Sequence, residues 1–93
     1  MLCSEHHPTQ SVRFELWADA EPGFLPRVLV PFARRDLVPD HVKSRRTGDV
    51  IAACLEMAAM PAEMVHLVEG NLRQIVGVRR LSVTILAAVR AAA

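Results

Sequence analysis

Ninety-three residues, 52% of them apolar and 23% charged, supply one small core and exclude a disordered tail. Four glycines and six prolines exclude a collagen-like or low-complexity chain. Eleven basic against ten acidic residues leave a net charge of +1, too balanced for a protein built mainly to grip phosphate backbones.

Residues 1–10 (MLCSEHHPTQ) read as a polar leader. They lack a basic end followed by an apolar stretch, so no signal peptide is expected. No apolar run approaches the roughly 18 residues of a membrane span. Residues 11–20 alternate, Val12, Phe14, Leu16 and Ala18 against Arg13, Glu15, Trp17 and Asp19, which predicts a strand with one buried face. Glu21-Pro22-Gly23 breaks it. Leu25, Val28, Leu29 and Phe32 then recur at helical spacing, with Pro26 in the first turn. Arg27, Arg34 and Arg35 fall off that stripe or near its carboxyl end, where positive charge suits the dipole. Pro31 removes one helical hydrogen bond, and a kink is expected there at about 3 kcal/mol.

Residues 37–46 form a weak strand interrupted by Pro39, as suits a sheet edge. Arg46-Thr47-Gly48-Asp49 is a hairpin turn. The strand 50–57 returns with Ile51, Ala53, Leu55 and Met57 on one face and Ala52, Cys54 and Glu56 on the other. Pro61 opens a second helix, with Glu63 in its first turn. Val65, Val68, Leu72 and Ile75, joined by Met64, form its buried stripe. Gly77 is expected to cap it. Leu81, Val83 and Ile85 alternate with Arg80, Ser82 and Thr84 in a last strand, and the alanine-rich end from 88 to 93 is expected to be a frayed tail.

The order strand, helix, strand, strand, helix, strand predicts an α+β fold over residues 11–87. It is the ferredoxin-like βαββαβ sandwich, a four-stranded antiparallel sheet with two helices on one face.

The chemistry in these elements is sparse. An RNA-binding sheet of this kind needs several exposed aromatics, and only Trp17 is available, so no nucleic acid partner is expected. His6 and His7 in the leader are weak metal candidates, and no metal or cofactor is expected. Cys54 with His41 or His66 lacks an oxyanion site and an orienting third group, and Glu56 and Glu63 read as surface charges. The chain is read as a non-enzyme. Cys3 and Cys54 make no disulfide framework, which predicts a reduced, cytoplasmic protein.

One stretch has convergent polar geometry, residues 19–25. The N–H groups around Gly23, Phe24 and Leu25 face any nearby anion, while Asp19 and Glu21 can receive an ammonium group. A small zwitterion such as an amino acid carries both charges. The alternative, which physical chemistry alone favours, is that Asp19 and Glu21 merely stabilise the helix start. A chain this small cannot hide so large an apolar fraction, which predicts a dimer through a sheet edge or helix face.

Pro22-Gly23-Phe24-Leu25-Pro26-Arg27-Val28-Leu29, then Phe32 and Arg35, resembles the start and first helix of an ACT domain. The chain is most similar to the small regulatory subunits of acetolactate synthase. Those subunits end their second helix in a pattern resembled here by Leu72-Arg73-Gln74-Ile75-Val76-Gly77-Val78. The resemblance spans residues 12–86. It implies a dimer of side-by-side ACT domains that sometimes holds an amino acid at its interface, here through the loop of Asp19, Ala20, Glu21, Gly23, Phe24 and Leu25, and a thiamine-diphosphate catalytic subunit as partner in branched-chain amino acid biosynthesis. The alternative is a stand-alone amino acid sensor or structural dimer with no enzyme partner. Asp36 stands where the family commonly has glycine, and Pro31 interrupts the first helix. Ala20 replaces a ligand-binding asparagine, which implies weak binding of branched-chain amino acids.

Overall fold

Alternation in the first strand builds the sheet from its centre. The computed structural model describes residues 8–89, and Cys3, His6 and His7 lie outside them. β1 runs Thr9–Asp19, α1 Phe24–Ala33, β2 His41–Thr47, β3 Val50–Pro61, α2 Ala62–Arg73 and β4 Val78–Val89. The four strands form one antiparallel sheet in the order β2-β3-β1-β4, the expected topology.

Val12, Phe14, Leu16 and Ala18 are fully buried, as the period-two pattern requires. Phe14 meets Phe32 of α1 edge-on, with centroids 5.5 Å apart and planes at 87°. Val65, Val68 and Leu72 of α2 complete the core with Ala53, Leu55, Met57 and Met60 of β3. Ile75 lies past the helix end and is partly buried against this cluster.

The first helix buries Val28 and Phe32 of the expected stripe and packs Leu25 partly against the core, but Phe24 and Pro31 join them in place of Leu29. Phe24, Val28, Pro31 and Phe32 point inward, and Leu29 is 41% exposed. Both stripes have helical spacing, but turning Phe24 inward removes more apolar area than turning Leu25 fully inward. Pro31 does not interrupt the helix, which continues to Ala33. Its ring is buried in the last turn, and the Arg35 guanidinium donates to its carbonyl at 3.3 Å. The helix ends with the Leu37 N–H on the Phe32 carbonyl at 2.9 Å, and Asp36 takes the left-handed φ of 56°. The geometry that usually selects glycine is therefore met by an aspartate.

Several boundaries differ from expectation, and β2 begins only at His41, after Pro39, where a strand from 37 was expected. β1 begins at Thr9, inside the expected leader, because Thr9 and Gln10 pair with Pro61 and Met60 on one side and with Val89 and Ala88 on the other. The same pairing draws Ala88 and Val89 of the expected tail into β4. β3 continues past Met57 to Pro61 through a register shift opposite Ser11, after which Met60 turns inward again. Gly77 does not cap α2. That helix ends at Arg73 in ordinary right-handed geometry, and Gly77 instead carries a φ of 96° in the turn into β4. The hairpin turn is Gly48-Asp49, with Gly48 at φ 62°. Ile85, expected inside, is 46% exposed near the end of the edge strand.

Candidate functional site

Backbone hydrogen bonds fix the segment 19–25 at one end of the sheet. The Asp19 N–H donates to the Gly77 carbonyl at 3.0 Å, and the Ala20 N–H to the Asp49 carbonyl at 2.9 Å. The β1–α1 turn is thus tied to the α2–β4 turn and to the β2–β3 hairpin. The Phe24 N–H donates to the Glu21 carbonyl at 3.0 Å and closes the turn.

The six residues singled out by sequence divide sharply. Phe24 is a core residue at 2% exposure, and Leu25 packs partly against the core. Neither side chain faces the turn's open side, and the Phe24 N–H, expected to face an anion, is taken by the Glu21 carbonyl. Asp19 is engaged by Arg79, whose guanidinium nitrogens lie 2.6 and 2.8 Å from its carboxylate. That partner, sixty positions away, makes Asp19 a poor receptor for a ligand ammonium. Ala20 offers a methyl group. Glu21 is exposed.

Gly23 needs no special backbone geometry. Its φ of −87° suits any residue. A Cβ there would stand 3.3 Å from the Arg27 guanidinium carbon, so glycine leaves room for Arg27 to fold over the helix start. Arg27, which lines a hollow beside this turn, is not among the six residues singled out by sequence. Its position four residues after Gly23 was the available signal.

Two hollows flank this turn. One, about 550 Å³, is lined by Glu21, Arg27, Val30, Gln74, Ile75 and Val76. The other, about 260 Å³, is lined by Ala20, Glu21, Pro22, Arg46 and Ile51. The larger sets opposite charges beside apolar walls, which suits a small zwitterion with an aliphatic side chain.

The imagined nucleophile and base do not meet. Cys54 lies on the sheet face away from the helices, whereas His66 is exposed on α2. His41 sits across from Glu56, and Glu56 accepts from Arg13 at 2.9 Å. Glu63 lies apart from Glu56 in the first turn of α2. Burial pushes the Cys54 thiol above the ordinary thiol range, and Glu15 and Glu56 push it further. Cys54 should therefore alkylate more slowly with iodoacetamide at pH 8 than free cysteine does, and gain rate as pH rises. A rate at or above that of free cysteine would contradict this environment.

Among the described residues no three His, Cys, Asp or Glu side chains gather in a metal-like group. No helix among them is long and apolar enough to cross a membrane.

A split βαβ frame with both helices on one face and a charged hollow at the β1–α1 turn defines a ferredoxin-like α+β module. A family model described as an ACT-like domain matches residues 5–90, and the chain belongs to that family. ACT domains are regulatory modules rather than catalytic ones. Solved structures agree on the fold. The crystal structure of the ACT domain from GTP pyrophosphokinase of Chlorobium tepidum is 9% identical with a TM-score of 0.70, covering 82% of this chain and 99% of that one. An uncharacterized protein from Thermotoga maritima is 12% identical with a TM-score of 0.69, covering 84% and 98%. The solution structure of the Chlorobium domain gives 9% and 0.68, covering 82% and 86%. No curated protein sequence matches the chain.

Proposed function

We propose that this chain is a regulatory ACT-like subunit that pairs with a second copy and modulates an acetolactate synthase catalytic subunit. The motif from Pro22 to Leu29 and the second-helix ending from Leu72 to Val78 support the acetolactate synthase branch by resemblance. The observation that carries the regulatory reading is the hollow between Glu21 and Arg27, walled by Val30, Ile75 and Val76. An amino acid seated there would place its carboxylate toward Arg27 and the helix start, and its ammonium toward Glu21.

Binding of branched-chain amino acids should be weak. Ala20 supplies no side-chain amide, and Asp19 is already paired with Arg79. Losing one or two hydrogen bonds, one to a charged group, weakens binding by roughly 1.5–3 kcal/mol, about 10–150-fold. Calorimetry with valine, leucine and isoleucine should give no low-micromolar affinity, and Arg27→Ala should abolish whatever binding is seen. Low-micromolar binding, or binding indifferent to both Arg27→Ala and Gly23→Val, would refute these claims.

The partner is tested by mixing the folded chain with a cognate acetolactate synthase large subunit. A rise in its activity supports the proposal. No association, with a dimer still seen by light scattering, favours a stand-alone sensor. That second reading draws on the hollow itself, whose opposite charges and apolar walls suit a small zwitterion with or without an enzyme partner.

A further inference from the structure

The sheet face opposite the helices carries a second hollow, apart from the one at the β1–α1 turn. Strand register places Arg45, Ala52, Trp17 and Arg80 in one row across β2, β3, β1 and β4. The next row holds Lys43, Cys54, Glu15 and Ser82. The Arg80 guanidinium covers the Trp17 ring at 5.1 Å from its centroid. Arg80 comes from β4, so the β3 side of the indole is turned toward Ala52. A hollow of about 310 Å³ opens on that side, lined by Glu15, Trp17, Lys43, Arg45, Ala52 and Cys54 among others.

The spacing of this hollow selects a shape. Neighbouring strands lie about 4.8 Å apart, so the columns of Trp17 and Arg45 are separated by about 9.6 Å with only the Ala52 methyl between them. One planar ring at about 3.5 Å from each wall occupies about 7 Å and fits edge-down on Ala52. Indole on one side and guanidinium on the other are both good stacking partners for an aromatic plane.

Its charge selects a class. Arg13 and Glu56 neutralise each other on this face. Lys43 and Arg45 form no ion pair among the described residues, and with Arg80 they stand against the single carboxylate of Glu15. A second copy of the same face would bring like charges together. An anion fits, and Glu15 beside the floor can accept from an exocyclic amino group.

We infer that this face binds a nucleoside monophosphate with an amino-bearing base, the base between Trp17 and Arg45 and the phosphate toward Lys43. The site is independent of the β1–α1 hollow and lies on the other side of the sheet.

Trp17 is the only tryptophan of the chain and reports directly. Titration with adenosine 5′-monophosphate, excited at the red edge of the indole band, should quench it saturably. Ribose 5-phosphate, which has no ring to stack, should not, and adenosine should bind more weakly for want of charge. Ala52→Leu fills the slot and should weaken binding about 5–150-fold, the worth of one base stack, with unchanged circular dichroism. Lys43→Gln should weaken adenosine 5′-monophosphate and leave adenosine unaffected. No saturable quenching up to millimolar concentration would overturn the site, as would binding indifferent to both substitutions. Far tighter binding of a single-stranded RNA oligomer would overturn it in favour of a strand-binding platform.

Discussion

Phe14→Ala should unfold the domain or come close to it. Phe14 is fully buried in the central strand, flanked by Leu55 and Val83 in the sheet, with Phe32 set edge-on above it. Truncation removes a phenyl ring from a core of about fourteen buried apolar residues and leaves Phe32 facing a void. Aromatic-to-alanine changes at such sites cost about 3–5 kcal/mol, against a total stability of about 5–10 kcal/mol for a chain of this size. Chemical denaturation should show a midpoint lowered by most of its range, or no cooperative transition. An unchanged midpoint would mean that the central strand presents its other face to the helices.

Leu55→Asp should be worse, and should depend on pH. Leu55 is fully buried in β3, between Phe14 on one side and Val42 on the other. Among the described residues the interior holds no buried polar or charged side chain, so nothing there can receive a carboxylate. The effective penalty for an unpaired buried ion is several kcal/mol. Burial raises the folded-state pKa of the introduced carboxyl above its unfolded value. The ionic penalty is therefore absent below the unfolded pKa and grows as pH rises through the folded one. Leu55→Ala is the control, since it creates the void without the charge. The two variants should melt closer together at pH 4 than at pH 7, where Leu55→Asp should have no cooperative transition. Equal melting at both pH values would place position 55 in contact with water.

Much of this architecture could be read in the order of residues, and the exceptions share a cause. Strand β1 was legible because Val12, Phe14, Leu16 and Ala18 alternate with Arg13, Glu15, Trp17 and Asp19, and the inner face of β3 because the larger apolar side chains Leu55 and Met57 recur at period two after Ala53, opposite Cys54 and Glu56. The alternation then fails at residues 58–59, where the register shift puts Met57 and Met60 on the same side. A bulge is a property of two paired strands, and one strand alone does not display it. In the first helix Val28 and Phe32 were legible, whereas Phe24 took the buried place expected of Leu29 because Phe24-Leu25 and Val28-Leu29 offer two overlapping apolar stripes. Gly77 looked like a helix cap since it follows Ile75-Val76, yet its positive φ serves a turn. At the candidate site, local signals located the loop but not its contents. Gly23 and the break before α1 were visible, whereas the Asp19–Arg79 pair and the walls from Ile75 and Val76 depend on chain closure across more than fifty positions.

The stitching of the β1–α1 turn has a mechanical meaning. Asp19 and Ala20 hang by their own amides from Gly77 and Asp49, so three separate connections share one backbone knot. Main-chain bonds do not depend on side-chain identity, so the knot tolerates substitution of Asp19 and Ala20 by any residue that keeps an N–H, while Gly77 is held to glycine by its φ of 96°. A displacement of residue 20 is consequently passed to the tip of the β2–β3 hairpin and, through residue 19, to the start of the outer strand β4. Two opposite margins of the sheet are thereby tied to a single loop.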